Sequence, residues 1–303
     1  QSFMTELFKY IGPDVDVPAG DIGVGGREIG YLYGQYRRLT GSFNNGVLTG
    51  KGLSYGGSLI RPEATGYGAS YYLQNVLAHF GDSIKDKTVA ISGFGNVAWG
   101  VAKKLTELGA KVLTLSGPEG YVYDKDGVST EEKLNYMLEM RASNKLDTSD
   151  YAKKFGADFH PGEKPWGVKC DIVMPCATQN EVDIKDAKRI VESGVKYYIE
   201  VSNMPTTNDA LKYLKENIKA VAPSKAVNAG GVAVSALEMC QNSMRYSWSA
   251  EKVDKKLKEI MKDIHDNSAA AAEEFGLGYD LVAGANIAGF KKVAEAMLEQ
   301  GIY

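Results

Sequence analysis

The sequence predicts an α/β fold organised on a doubly wound, mainly parallel sheet. Three observations lead there. Thr88–Ile91 is a compact, β-branched apolar run of the kind that fills a strand buried on both faces. A tight glycine turn, Gly93-Phe94-Gly95, follows it at once. Val97, Val101, Leu105 and Leu108 then recur at helical spacing on one face.

Strand, glycine turn and helix in that order form the front half of a dinucleotide site, the Rossmann-like arrangement. Gly93 permits the sharp turn, Gly95 lets the backbone approach a pyrophosphate, and Ala98 lets the helix pack close to the strand. The free N–H groups of Gly95, Asn96 and Val97, with the positive end of the helix dipole, face the phosphates, and Phe94 lies between the two glycines. A bare G-x-G-x-x-A pattern also fits a plain structural turn. The strand before it and the helix after it favour nucleotide binding.

With 303 residues, the chain is long enough for two domains or one large one. Its 44% hydrophobic and 24% charged residues are those of a soluble globular protein. A net charge of -3 argues against a nucleic-acid or anionic-membrane partner. No apolar run is long enough to span a bilayer, and the first six residues lack the basic and apolar blocks of a signal peptide. Cys170, Cys176 and Cys240 are few, odd in number and unclustered, which points to reduced thiols in a cytosol, with neither a disulfide frame nor a metal site. The 34 glycines, about 11% against a usual ~7%, point to many tight turns and close backbone approaches.

Residues 1–10 read as an amphipathic helix with Phe3, Leu7 and Tyr10 on one side. A glycine-rich turn around Asp21 precedes a helix over residues 27–38. Asp21 can cap that helix, or it can sit at a cleft edge where burial raises its pKa toward proton transfer. Residues 46–52 contain Gly-Lys-Gly but fail as a phosphate loop, because Gly52 stands where Ser or Thr must hold Mg²⁺; Lys51 is expected to be a surface loop lysine. Pro62 suits the first turn of a helix reaching about Phe80, and Thr65 either caps that helix or faces a cleft.

After the first nucleotide helix, residues 111–115 form a second strand that runs into Ser116-Gly117-Pro118-Glu119. The end of this strand faces the adenosine ribose in such sheets. An acidic group there favours the 2′-hydroxyl of NAD over the 2′-phosphate of NADP, so Ser116 and Glu119 are candidate coenzyme residues. Residues 121–127 read as a hairpin-like excursion, residues 130–141 as a helix capped by Thr130, and residues 160–168 as a Pro/Gly-rich loop. Strands follow at 171–175, 195–201 and 218–221. The first ends in Cys176-Ala177-Thr178, where Ala177 and Thr178 are candidate coenzyme contacts and Cys176 reads as a buried, inert thiol rather than a nucleophile. Asn203 falls at the next strand end. Asn228 precedes Gly230-Gly231, which either offers backbone N–H groups to an anion or permits close helix packing. Residues 249–275 form a long helix with a Val253, Leu257, Ile260, Ile264 stripe and a structural His265, and a last helix runs to Tyr303.

Six stretches together resemble the hexameric glutamate dehydrogenases, with their leucine, phenylalanine and valine dehydrogenase relatives. They are residues 18–25, 61–68, 93–98, 175–180, 202–205 and 228–235, and the match extends over essentially the whole chain. The resemblance implies reversible oxidative deamination of L-glutamate to 2-oxoglutarate and ammonia, with hydride transfer to NAD (NADP being possible), in a cytoplasmic homo-hexamer. It also implies roles: Asp21 shuttles protons, the Gly20 backbone and Ser235 hold substrate carboxylates, and Val232 lines the substrate pocket. Thr65 and Asn96 contact the coenzyme, and Asn203 lies near the nicotinamide. The family's catalytic lysine and its other substrate-gripping lysines belong upstream of residue 18 and are not among residues 1–17 in their usual context. The chain is therefore expected to bind nucleotide but hardly to turn over alone, the alternatives being a non-catalytic nucleotide-binding fragment or a dehydrogenase of another amino acid. The expected division is a remnant of the substrate and oligomerisation domain over residues 1–56, a dinucleotide domain over 57–279, and a last helix, 280–303, returning to the substrate domain.

Overall fold

The computed structural model describes residues 1–21, 23–143 and 147–301. Ile22, inside the 18–25 string, and the expected helix end at Tyr303 lie outside the described residues. In chain order the helices are α1 (Ser2–Leu7), α2 (Gly26–Thr40), α3 (Ala64–His79), α4 (Asn96–Glu107), α5 (Glu131–Ala142), α6 (Ser149–Phe155), α7 (Ile184–Glu192), α8 (Asn208–Asn217), α9 (Ser224–Val227), α10 (Gly230–Met244), α11 (Ala250–Glu274) and α12 (Leu281–Gln300). The strands are β1 (Thr88–Ile91), β2 (Lys111–Val112), β3 (Thr114–Gly117), β4 (Gly120–Tyr123), β5 (Asp158–Pro161), β6 (Ile172–Met174), β7 (Tyr197–Ile199) and β8 (Ala220–Ala222). Among the described residues no helix is long and apolar enough to cross a membrane.

Five strands form one wholly parallel sheet in the order β2-β1-β6-β7-β8. This is the doubly wound arrangement: from β1 the chain goes one way to β2, then crosses to β6 on the other side. The strands are nearly continuous apolar runs because the sheet is buried on both faces. Val89, Ala90, Ile91, Ile172, Val173 and Met174 are all buried. Around Ala90, Val173 and Tyr198 a core gathers Trp166, Ile190, Leu214 and Val221.

The sequence expectation of one strand over 111–115 is corrected. The chain leaves the parallel sheet after Val112 and opens β3 at Thr114, in a separate antiparallel sheet ordered β3-β4-β5. Thr114 explains the break. Its hydroxyl accepts from the Ile91 N–H (2.8 Å) and donates to the Ile91 carbonyl (2.7 Å), taking the place of the strand partner that β1 loses there. The expected loop over 160–168 is corrected as well. Asp158–Pro161 pairs with β4, with the His160 and Tyr121 rings stacked at 4.5 Å, and a 3₁₀ turn at Pro165–Gly167 buries Trp166.

The chain divides into two compact units at boundaries other than those expected. One comprises Gln1–Ala64 and Gly231–Lys258; the other comprises Thr65–Gly230 and the chain from Glu259 onward. Within the first, α1, α2 and the loop before α3 close a small core of Met4, Ile11, Tyr33, Tyr36, Val47 and Leu48. The last helix belongs with the sheet-containing unit. Asp280 caps α12 through the N–H groups of Val282 and Ala283 and pairs with Lys215 at 2.7 Å, while Val282 packs on the sheet core. Gly284 lies against the Ser268 carbonyl of α11, leaving no room for a side chain.

Candidate functional site

The C-terminal ends of all five parallel strands share one edge of the sheet, and most candidate coenzyme residues meet there. Beyond β1, Gly93 has a left-handed backbone (φ +78°), a conformation that a side chain would strain. Its N–H donates to Ser116 Oγ at 2.9 Å, and the Ser116 N–H donates to the Gly93 carbonyl at 3.3 Å, so Ser116 lies at the same edge. Gly95 precedes α4 as its N-cap, without a side-chain cap, and a Cβ added there would meet no heavy atom within 4 Å. The first-turn amides of α4, at Asn96 and Val97, therefore begin beside open space, while Phe94 and Ala98 are buried against the fold. A diphosphate fits this cradle: among the described residues no side chain caps α4, and the space beside Gly95 is open.

The first turn of α3 is drawn close to α4. A Cβ on Gly66 would fall 2.3 Å from the Val101 nitrogen, so only glycine lets the two backbones touch, and Thr65 stands next to it. Past β6, Ala177 and Thr178 lie exposed in a short loop directly across from Gly93. Past β7, Asn203 accepts a hydrogen bond from the Asn228 amide at 2.7 Å.

Sequence reasoning missed the residues that hold these loops in place. Glu181 takes the N–H groups of Ala177 (3.0 Å) and Thr178 (3.3 Å) and the Ser202 hydroxyl (3.4 Å). Ser92 takes the Cys176 N–H at 2.8 Å. Glu200, buried at the end of β7, takes the Ser224 N–H at 3.0 Å. Burial pushes the Glu181 and Glu200 carboxyls above the usual carboxylate range, against the pull of their hydrogen bonds. The available signal was position alone: each polar residue falls just past the end of an apolar run or within the loop that follows it. Cys176 is buried and its thiol is pushed well up by desolvation, as expected for an inert sulfur.

Glu119 is placed differently from the expectation. It lies in the tight turn between β3 and β4, not at the end of β2, and one carboxylate oxygen accepts both the N–H and the hydroxyl of Thr148 (2.8 Å for the latter). Its visible role is to hold the start of α6.

In the other unit, Thr49 joins the substrate candidates. Its N–H donates to the Pro18 carbonyl at 3.0 Å, fixing the string that carries Gly20 and Asp21, and its hydroxyl donates to Ser235 Oγ at 3.1 Å. Asp21 is exposed and does not cap α2; the cap is Gly25, whose N–H donates to Glu28 at 2.9 Å. Val232 is 69% exposed, one helical turn from Ser235, so it is available to a ligand. Arg61, absent from the sequence candidates, donates from Nε to Ser235 Oγ at 3.1 Å. Lys51 is the clearest correction: it is no surface lysine, but fully buried and ion-paired to Glu238 at 2.5 Å.

The family model for glutamate/leucine/phenylalanine/valine dehydrogenases matches residues 56–301, and the model for the dimerisation domain of these enzymes matches residues 1–38. The chain is 68% identical over all 303 residues to an NAD-specific glutamate dehydrogenase from Clostridium symbiosum, spanning 67% of that protein's length. A solved glutamate dehydrogenase structure superposes with TM-score 0.98 at 68% identity, covering 99% of this chain and 67% of its own. A hetero-hexameric glutamate dehydrogenase from Thermus thermophilus does so with TM-score 0.87 at 25% identity, covering 99% of this chain and 68% of its own. The whole-length match and the shared fold establish that the chain belongs to the Glu/Leu/Phe/Val dehydrogenase family.

Proposed function

We propose that this chain carries the coenzyme apparatus and part of the substrate apparatus of an NAD-dependent L-glutamate dehydrogenase, which interconverts L-glutamate with 2-oxoglutarate and ammonia. One observation carries the reading: Gly93, Ser116 and Ala177 converge where the loops after β1 and β6 face each other, beside the open first turn of α4. That is the switch point at which doubly wound sheets take dinucleotides. The names of close relatives supply the substrate and the preference for NAD.

Gly95 to Val97 hold the diphosphate through backbone N–H groups, beside Phe94, while Gly93, whose own N–H is taken by Ser116, sets the turn. Ser116 serves the ribose side, Ala177, Thr178, Asn203 and Asn228 the nicotinamide side, and Thr65 adds a hydroxyl. When bound, the nicotinamide supplies the hydride acceptor. The Gly20 backbone and Ser235 hold substrate carboxylates, Val232 lines the pocket, and Asp21 moves protons to and from the amino group. The protein acts as a homo-oligomer, a hexamer as in the family it resembles, in the cytosol; the dimerisation-domain match over residues 1–38 and the three unclustered cysteines support this.

Asp21→Asn in the full-length protein tests the reading. Glutamate-dependent NADH formation is expected to disappear while fluorescence titration shows NADH binding intact. Near-normal turnover removes Asp21 from the chemistry. Faster turnover of leucine or phenylalanine by the wild-type protein overturns the choice of glutamate, and tighter binding of NADPH than NADH overturns the choice of NAD.

A further inference from the structure

One face of α10 holds the loop over residues 48–58 by a ladder of buried polar contacts. Thr49 donates to Ser235. Glu238, three residues on, accepts the Gly50 N–H (3.1 Å), the Lys51 N–H (3.4 Å) and the Lys51 ammonium (2.5 Å). Gln241 donates to Ser58 Oγ at 2.9 Å, and Asn242 donates to the Gly56 carbonyl at 2.6 Å. The Lys51 ammonium spends its three protons on Glu238, on Asn242 Oδ1 (3.0 Å) and on the Leu48 carbonyl, so the group is fully satisfied without water.

The consequence falls on Ser235. Its oxygen accepts from Thr49 Oγ1 and from Arg61 Nε, both at 3.1 Å. A hydroxyl oxygen has two lone pairs and one proton, so two accepted bonds leave Ser235 able only to donate. No described residue accepts that proton. An oriented hydroxyl donor with a guanidinium behind it suits a carboxylate oxygen and gives nothing to an apolar side chain.

We infer that Glu238 and Lys51 are positioning residues: by clamping residues 49–51 to α10 they hold Thr49 on Ser235, fix Ser235 as a donor, and so set the preference for an acidic over a neutral amino-acid side chain. The inference rests on the proposed role of Ser235 in gripping a substrate carboxylate. It assigns a function to a lysine that makes no contact with substrate in that reading. A buried ion pair contributes little net stability over apolar packing, so orientation is the better account of why one stands here.

The test measures kcat and KM for L-glutamate and for L-norvaline, which lacks the side-chain carboxylate, in the full-length protein. Glu238→Gln is expected to raise the glutamate KM about tenfold, more than it lowers kcat, and to cut the glutamate-over-norvaline ratio by a similar factor. In a Ser235→Ala background the same substitution is expected to leave that ratio unchanged, which a merely structural role does not predict. The pair Lys51→Met with Glu238→Gln removes both charges of the ion pair together and is expected to lower the ratio likewise, so it carries the test if the single variant does not fold. If Ser235→Ala lowers the ratio but the Glu238 variants do not, the positioning role is overturned and the reading of Ser235 stands. If Ser235→Ala leaves the ratio unchanged, the carboxylate grip itself is overturned, and the positioning role with it.

Discussion

Gly93 and Ser116 are joined by two hydrogen bonds running in opposite directions: the Gly93 N–H to Ser116 Oγ at 2.9 Å, and the Ser116 N–H to the Gly93 carbonyl at 3.3 Å. This couple fastens the left-handed turn after β1 to the strand that departs into the antiparallel sheet. The turn is therefore held before any ligand arrives, and the coenzyme does not have to order it.

Gly93→Ala tests how much of coenzyme binding depends on that turn. A Cβ at φ +78° costs about 1–2 kcal/mol, and here it also comes within 3.3 Å of Ala177 Cβ and the Cys176 carbonyl. Relief by rotating the turn breaks the couple with Ser116. The expected result is a loss of about 1–2 kcal/mol in denaturant unfolding and an NADH dissociation constant raised roughly tenfold by fluorescence titration. An unchanged constant removes the turn from the binding site.

Gly66→Ala addresses packing alone. The new methyl would lie 2.3 Å from the Val101 nitrogen and 2.4 Å from the Gly100 carbonyl carbon, both backbone atoms that cannot rotate aside. Separation of α3 from α4 is expected to lower stability by about 1–3 kcal/mol or more, read as a fall in the urea midpoint. A variant as stable as the parent contradicts the close approach.

The sheet was legible because its signal is local. Thr88–Ile91 is β-branched, and the glycines and small residues beside it have few other uses. Lys51 and Glu119 were not legible, for one shared reason. Each is a charged residue in a glycine-rich loop, a pattern that ordinarily means solvent, and each owes its place to a distant partner: Glu238 lies 187 residues from Lys51, and Thr148 lies 29 from Glu119. No periodicity marks such a pair. Thr114 failed for a different reason. A β-branched residue extends a strand in any pattern reading, whereas here its hydroxyl ends one by replacing the ladder bonds of Ile91.

Thiol reactivity offers a check that needs no substrate. Cys170 and Cys176 are buried, each donating to a nearby carbonyl (3.3 and 3.2 Å), and burial pushes the Cys170 thiol up to about 12. Cys240 is exposed. A neutral thiol reagent is expected to modify one cysteine per folded chain quickly and all three once the chain is denatured, with peptide mapping placing the fast site at Cys240. Rapid modification of Cys176 in the folded protein overturns its reading as an inert core residue.

Glu200 gives a pH dependence with a definite sign. Burial holds its carboxyl above the usual range even though Thr206, the Ser224 N–H and the charge of Lys225 favour the charged form. A carboxyl with a folded pKa above its unfolded value binds its proton more tightly in the native state. It therefore adds stability below the unfolded pKa, and that contribution is lost as pH rises through the folded pKa. Gln at this position keeps a carbonyl oxygen for the Ser224 N–H and removes the ionisation. The difference in thermal midpoint, wild type minus Glu200→Gln, is expected to be highest near pH 4 and to decline steadily toward pH 8, where the variant is the relatively favoured form. A difference that grows with pH means that the hydrogen bonds and the Lys225 charge outweigh burial, and overturns burial as the dominant cause.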